Sequence, residues 1–151
     1  MNKFPICPIF IPSNKLNYVE KAIKSGADGI IFDLEDSILL NDKTKARENL
    51  YKYLSSNNHD AIIYIRINDI NSEIGINDLE MLSELNSPFI IPKFENEENF
   101  NKISKEVKII PLIETPLAIK NLNKIAKNDR VIGLSFGAAD FSSMIGSEMS
   151  W

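Results

Sequence analysis

Short apolar runs alternate with longer amphipathic stretches along this chain. The runs are FPICPIFIP (4–12), GIIFDLE (29–35), AIIYIRIN (61–68), PFIIPKF (88–94), VKIIPLIE (107–114) and RVIGLSFG (130–137). They are β-branched and nearly continuous rather than alternating, the pattern of parallel strands covered on both faces. Between them, KLNYVEKAIKSG (15–26) puts Leu16, Val19, Ala22 and Ile23 on one helical face and stops at Gly26. NDKTKARENLYKYLSS (41–56) opens on an acidic turn with Asn41 or Asp42 as cap. GINDLEMLSEL (75–85), NEENFNKISKE (96–106) and TPLAIKNLNKIAKN (115–128) complete the helical series.

Strand and helix therefore repeat at roughly the length of a βαβ unit, which predicts an α/β fold. A doubly wound nucleotide-binding sheet needs a glycine-rich turn after its first strand. Here that turn reads IPSNKLN, with no glycine. A TIM-barrel type of (β/α) repeat gathers functional residues at the C-terminal ends of its strands. Glu35 and Asp36 close the second run, Arg66 the third, Lys93 the fourth and Glu114 the fifth, while Asp140 follows the sixth. The expectation is thus one partial barrel domain over residues 1–151, with six of the usual eight units, either truncated or completed by a partner. Open sheet edges and exposed apolar faces further predict a homo-oligomer.

Composition narrows the function classes. The net charge is −4 and 44% of residues are hydrophobic, which fits a soluble domain and leaves no basic stripe for nucleic acid. No apolar stretch reaches about 18 residues, so no membrane span is expected. The start MNKFPICPIF lacks a signal-peptide pattern, and the single Cys7 permits no internal disulfide. A cytoplasmic protein with Cys7 as a buried, inert thiol is expected. Tyr51, Tyr53 and Phe100 read as packing residues.

The candidate chemistry lies in the charges that interrupt apolar runs. Glu114 sits at the end of IIPLIE, where an unpaired carboxylate is costly to bury. Glu114 and Asp140 on neighbouring strand ends either share a divalent ion or are neutralised by Lys93 or Arg66; two carboxylates plus water and ligand oxygens suit Mg²⁺. Arg66 breaks an apolar strand, as a bidentate donor to a substrate carboxylate or as the buried partner of Glu35 or Asp36. In FDLEDS, period two puts Asp33 and Glu35 on one face and Asp36 on the other. One of these acids is expected to cap the next helix or pair with Arg66 or Lys93. SFGAADF places Gly137, Ala138 and Ala139 before Asp140, either letting backbone N–H groups approach an anion or forming a plain tight turn. His59, the only histidine, lies in a polar loop away from the strand ends, so neither a histidine base nor a His-rich zinc site is expected. No G-x-S-x-G elbow is present.

In order, IFIPSNKLNYVEKAIKSGADGIIFDLEDSI, IYIRIN, IIPKFE, IIPLIETPLAI and GLSFGAADFSSMIG resemble the citrate lyase β-subunit-like branch of the HpcH/HpaI aldolase superfamily, over about residues 8 to 146. The resemblance implies a TIM barrel that cleaves or forms carbon–carbon bonds with Mg²⁺. It implies Glu114 and Asp140 as metal ligands, Arg66 as the group holding substrate carboxylate and steadying an enolate, and Glu35 and Asp36 as an acidic pair near the metal. Lys93, Gly137 and Ala138 are further substrate-contact candidates. Implied substrates are citryl thioesters on an acyl carrier protein, or malyl- and citramalyl-CoA, giving a keto acid such as oxaloacetate or glyoxylate and an acetyl thioester, within a possible lyase complex. A pyruvate-type class II aldolase and a non-catalytic ligand-binding subunit are the alternatives. The chain departs from the family where PSNKL replaces a glycine- and arginine-bearing first loop, which leaves Lys15 as candidate contact for phosphate or thioester. It also departs in having GAAD and in lacking the last two units and the C-terminal segment, which by the resemblance helps cover the active site, often of a neighbouring subunit, and is a candidate source of a catalytic acid.

Overall fold

A computed structural model describes residues 4–57 and 61–148; His59 lies outside them. Six parallel strands form the framework: β1 (Pro8–Pro12), β2 (Gly29–Asp33), β3 (Ile62–Arg66), β4 (Phe89–Ile91), β5 (Ile109–Ile113) and β6 (Ser135–Phe136). Each pairs with the next in sequence, giving the order β1-β2-β3-β4-β5-β6 without the reversal of a doubly wound sheet. The connections carry α1 (Val19–Lys24), α2 (Lys43–Ser56), α3 (Glu73–Leu82) and α4 (Pro116–Ala126), and α5 (Ala138–Met144) follows β6.

Period two along the strands sorts the core into two layers. Ile30 and Phe32, Ile65, Phe89 and Ile91, and Ile109 and Ile113 join Val19, Leu50, Leu82 and Ile125 of the helices in the large buried cluster. Ile31, Tyr64, Ile90, Ile110 and Leu112 point the other way and form a small cluster of their own. That second face carries the chemistry. Asp33 stands two residues beyond Ile31, Arg66 two beyond Tyr64 and Glu114 two beyond Leu112, so all three follow the small cluster at the strand C-terminal ends.

Several expected boundaries shift. A 3₁₀ turn at Leu16–Tyr18 precedes α1, and Gly26 closes the segment in the left-handed region at φ +96°. Neither Asn41 nor Asp42 caps α2: a 3₁₀ turn over Leu40–Asp42 runs straight into it, and Asp42 has helical rather than extended backbone. The helix expected over 96–106 is a 3₁₀ segment, Glu97–Lys102, held by a capping box between Asn96 and Asn99. Of the sixth run only Ser135–Phe136 pairs as a strand, with an isolated bridge at Val131. Cys7 is exposed, contrary to expectation, because β1 begins only at Pro8 and residue 7 is tied by its N–H to Asp28 at the sheet margin. Tyr51 and Tyr53 pack against the large cluster and Phe100 is inside it. Among the described residues no helix is long and apolar enough to cross a membrane.

Candidate active site

The end of β2 does not continue as a strand, and Asp33 is the cause. Its carboxylate accepts the N–H of Glu35 (2.9 Å) and of Ser37 (3.1 Å), curling the chain back on itself. Period two holds through Leu34, buried with Ile30 and Phe32, and Glu35, which meets Arg66 as Asp33 does. Asp36, expected on the opposite face, is brought round to the same Nη1, where Glu35 and Asp36 both stand 3.2 Å away. Arg66 lies opposite Asp33 in the β2–β3 register and donates to it bidentately, from Nε at 2.7 Å and Nη2 at 2.8 Å. The Phe10 ring, on the same face, sits 5.1 Å from the guanidinium centre. Burial opposes ionisation of Asp33, but Arg66, Ser37 and the Glu35 amide outweigh it and hold this carboxyl below the ordinary range. Glu35 goes the other way: burial, with Asp36, Glu114 and Asp33 nearby, pushes it up to about 7 despite Arg66.

A second layer fixes this corner from behind. Lys43, at the start of α2, donates from Nζ to the carbonyls of Leu34 (2.9 Å) and Glu35 (2.7 Å) and to Asn68 Oδ1 (2.6 Å). Asn68 passes the connection to Asp78 of α3 through its backbone and side-chain N–H groups at 2.9 and 2.7 Å. Asp78, fully buried, also accepts from Arg47 Nε at 2.6 Å. Two helices thus clamp the chain that carries Glu35 and Asp36.

Glu114 leaves β5 into a prepared corner. Thr115 caps α4 by accepting the Ala118 N–H at 3.1 Å, and Pro116 occupies the first helical turn, so the chain must turn directly after the carboxylate. Glu114 is 2% exposed; its Oε1 accepts the backbone N–H of Lys93 at 2.7 Å. Lys93 holds the left-handed conformation at φ +50°, which turns that amide toward the carboxylate while its side chain stays exposed. Burial pushes the Glu114 carboxyl up, Lys93 opposes this, and a hydrogen bond and like charge from Asp140 add to it. Asp140 sits in the first turn of α5, facing Glu114 across a cleft of about 210 Å³ that also takes in Asp69, Asn71, Lys93, Glu95, Thr115 and Met144.

Neither Glu114 nor Asp140 enters an ion pair among the described residues; Lys93 reaches Glu114 through its backbone N–H and the field of its charge. Two hard oxygen donors, one buried without a side-chain cation on it, fit Mg²⁺, an ion that takes one or two protein carboxylates and keeps water. Among the described residues no group of three or more His, Cys, Asp or Glu is placed to hold an ion, so the other positions would fall to water and ligand oxygens.

Gly137 has a different task from the expected one. Its N–H is spent on the Ile113 carbonyl at 3.0 Å and is not offered to an anion. The missing side chain matters instead: a Cβ there would lie 2.7 Å from Glu114 Cβ and 2.8 Å from Glu114 Oε2. Gly137→Ala is expected to push Glu114 aside and weaken Mg²⁺ binding about tenfold by calorimetry, the scale of a disturbed outer shell. Unaltered affinity would remove this role.

The expected residues thus fall into two groups. Lys93, Glu114 and Asp140 share the cleft; Arg66, Glu35 and Asp36 form a separate cluster, linked to it through the charge of Glu114 felt at Glu35. Ala138 opens α5 and is half-buried. Lys15 lies exposed just past β1, where its N–H bonds to the Pro12 carbonyl. Lys43, Arg47, Asn68 and Asp78 were not foreseen in the site. The one signal for them is that Arg47 and Asp78 occupy core-facing positions of their helices, beside Ala46 and Leu50 and beside Leu79.

A family model described as HpcH/HpaI aldolase/citrate lyase matches residues 7–150. Citrate lyase subunit beta of Escherichia coli (strain K12) is 30% identical over 159 residues, covering 94% of this chain and 53% of that protein. (3S)-malyl-CoA thioesterase of Cereibacter sphaeroides (strain KD131 / KCTC 12085) is 32% identical over 144 residues, covering 92% and 50%. A structure of the citrate lyase beta subunit from Mycobacterium tuberculosis, complexed with oxaloacetate and magnesium, matches with a TM-score of 0.81 at 26% identity, over 95% of this chain and 62% of that one. The chain spans about half the length of the curated relatives it matches. With strand order, strand-end carboxylates and a family match over residues 7–150 in agreement, the chain belongs to the HpcH/HpaI aldolase/citrate lyase family.

Proposed function

We propose that this chain carries the metal- and keto-acid-binding part of a Mg²⁺-dependent carbon–carbon lyase of TIM-barrel type. Its substrate would be a citryl- or malyl-type thioester on CoA or an acyl carrier, and its products a keto acid and an acetyl thioester. The observation that carries the reading is Glu114: a buried carboxylate with no ion-pair partner among the described residues, facing Asp140 across an open cleft. The relatives named for citrate lyase and malyl-CoA chemistry, and the neighbour holding oxaloacetate and magnesium, support the substrate class.

Glu114 and Asp140 would hold the ion, and Lys93 N–H keeps Glu114 turned toward it. Mg²⁺, when bound, supplies Lewis-acid polarisation of a carbonyl oxygen. Arg66, fixed by Asp33 and Phe10, is the oriented donor for a substrate carboxylate and for negative charge that develops as the bond breaks. The Lys93 ammonium, exposed at the cleft, suits a second anionic group. β1 and β6 each pair on one side only among the described residues, which supports association with a second copy or a completing partner.

The test is calorimetric and enzymatic. Mg²⁺ should bind, oxaloacetate should bind only with Mg²⁺ present, and chelation should abolish both oxaloacetate binding and release of keto acid from citryl- or malyl-CoA. Cleavage that survives chelation would sink the assignment. A second reading, ligand binding without cleavage, is favoured by the chain's spanning half its relatives' length; it predicts Mg²⁺-dependent oxaloacetate binding and no turnover.

A further inference from the structure

Arg66 sets one positive charge against three carboxylates, those of Asp33, Glu35 and Asp36. Asp33 takes Nε and Nη2, is itself 3% exposed, and is pinned by the N–H groups of Glu35 and Ser37. Glu35, at 15% side-chain exposure, stands 3.2 Å from Nη1. Asp36 accepts a hydrogen bond from that same Nη1 at 3.2 Å, but its side chain is 71% exposed. These three contacts differ in what it costs to break them. Removing Asp33 would strand a buried charge, whereas an exposed ion pair is weak and exchanges readily with solvent or with another anion.

We propose that Asp36 is a tethered competitor: in the ligand-free protein its carboxylate occupies Arg66 Nη1, the position a keto acid's carboxylate takes, and it swings to solvent when the ligand arrives. The idea rests on the proposed function and changes the role of Asp36 from substrate contact to gate on affinity. Asp33 and Phe10 hold the guanidinium from two other sides, so exchange at Nη1 leaves the donor in place. Asp36 also adds a repulsive charge beside the incoming anion, which makes residue 36 a setting for how tightly carboxylate ligands bind.

Two measurements on Asp36→Asn test this, using the full protein. The first needs no ligand: phenylglyoxal modification of Arg66, followed by peptide mass mapping without Mg²⁺, should run about threefold faster in the variant, with Arg47 and Arg130 as internal references. An unchanged rate at Arg66 overturns the proposal whatever the binding result. The second is calorimetry with Mg²⁺ and oxaloacetate, where the variant should bind about three- to tenfold tighter, a gain that shrinks as salt is raised. Equal or weaker binding by a variant whose parent does bind also overturns it. If neither protein binds oxaloacetate while Arg66 modification accelerates, the proposed function fails and the competition at Nη1 stands.

Discussion

Glu114→Gln in the full protein is expected to lower Mg²⁺ affinity by roughly 100-fold or more, since disturbing even an outer-shell partner of a metal ligand costs about 10–100-fold. Glutamine keeps the length of the side chain and an oxygen for the Lys93 N–H, so the substitution removes charge and little else. Its effect on stability should have the opposite sign. The folded protein holds the Glu114 carboxyl above its ordinary value, through burial first and Asp140 next. A raised carboxyl favours folding fully below its unfolded pKa, and that contribution is lost as pH rises through the folded value. Without Mg²⁺ the parent therefore loses stability as pH rises through this titration, and the variant, which lacks the carboxyl, does not. Thermal melts in chelator should show the variant at least as stable as the parent, and melts in millimolar Mg²⁺ should show the parent gaining while the variant does not. A variant that binds Mg²⁺ like the parent would remove Glu114 from the ligand set.

The largest stability effect is expected behind the site, at Asp78. This residue is fully buried and accepts three hydrogen bonds, one from Arg47 and two from Asn68. Asp78→Ala leaves the Arg47 guanidinium buried with its main partner gone, a loss of about 3–5 kcal/mol. That is a large share of the roughly 5–15 kcal/mol that holds a typical domain together. Urea unfolding should show the midpoint falling by that loss divided by the slope, with the slope unchanged. The double replacement Arg47→Met with Asp78→Leu should recover only the part due to the stranded guanidinium, because the two Asn68 N–H groups still lose their acceptor. A loss under about 1 kcal/mol for Asp78→Ala would show the pair to be dispensable. Asn68 and Lys43 sit in the same network, so the acidic turn after β2 should loosen along with the helices.

The parts of this molecule that the sequence makes legible are those with a local period. Continuous β-branched runs mark five strands well, and a charge breaking such a run marks Arg66 and Glu114 as residues needing compensation. The run 96–106 carries a helical period but folds as a 3₁₀ segment, because Asn96 and Asn99 form a capping box over a stretch too short to propagate. The acidic turn was half legible. FDLEDS shows three acids, but only the fold shows Asp33 bonding two amides ahead of it and Asp36 coming round to the same guanidinium. The support network was invisible for a plainer reason. Lys43 meets Asn68, and Arg47 meets Asp78, across 25 and 31 residues of chain, and nothing local sets either pairing. Cys7 lay one residue before its strand, and a boundary error of that size reverses burial.

The support that aims Glu114 comes from the peptide backbone at position 93, not from the lysine side chain. Among residues that tolerate a φ near +50°, the identity at 93 can change without unseating the carboxylate. The charge presented at the rim of the cleft can therefore change while the carboxylate beneath it keeps its aim.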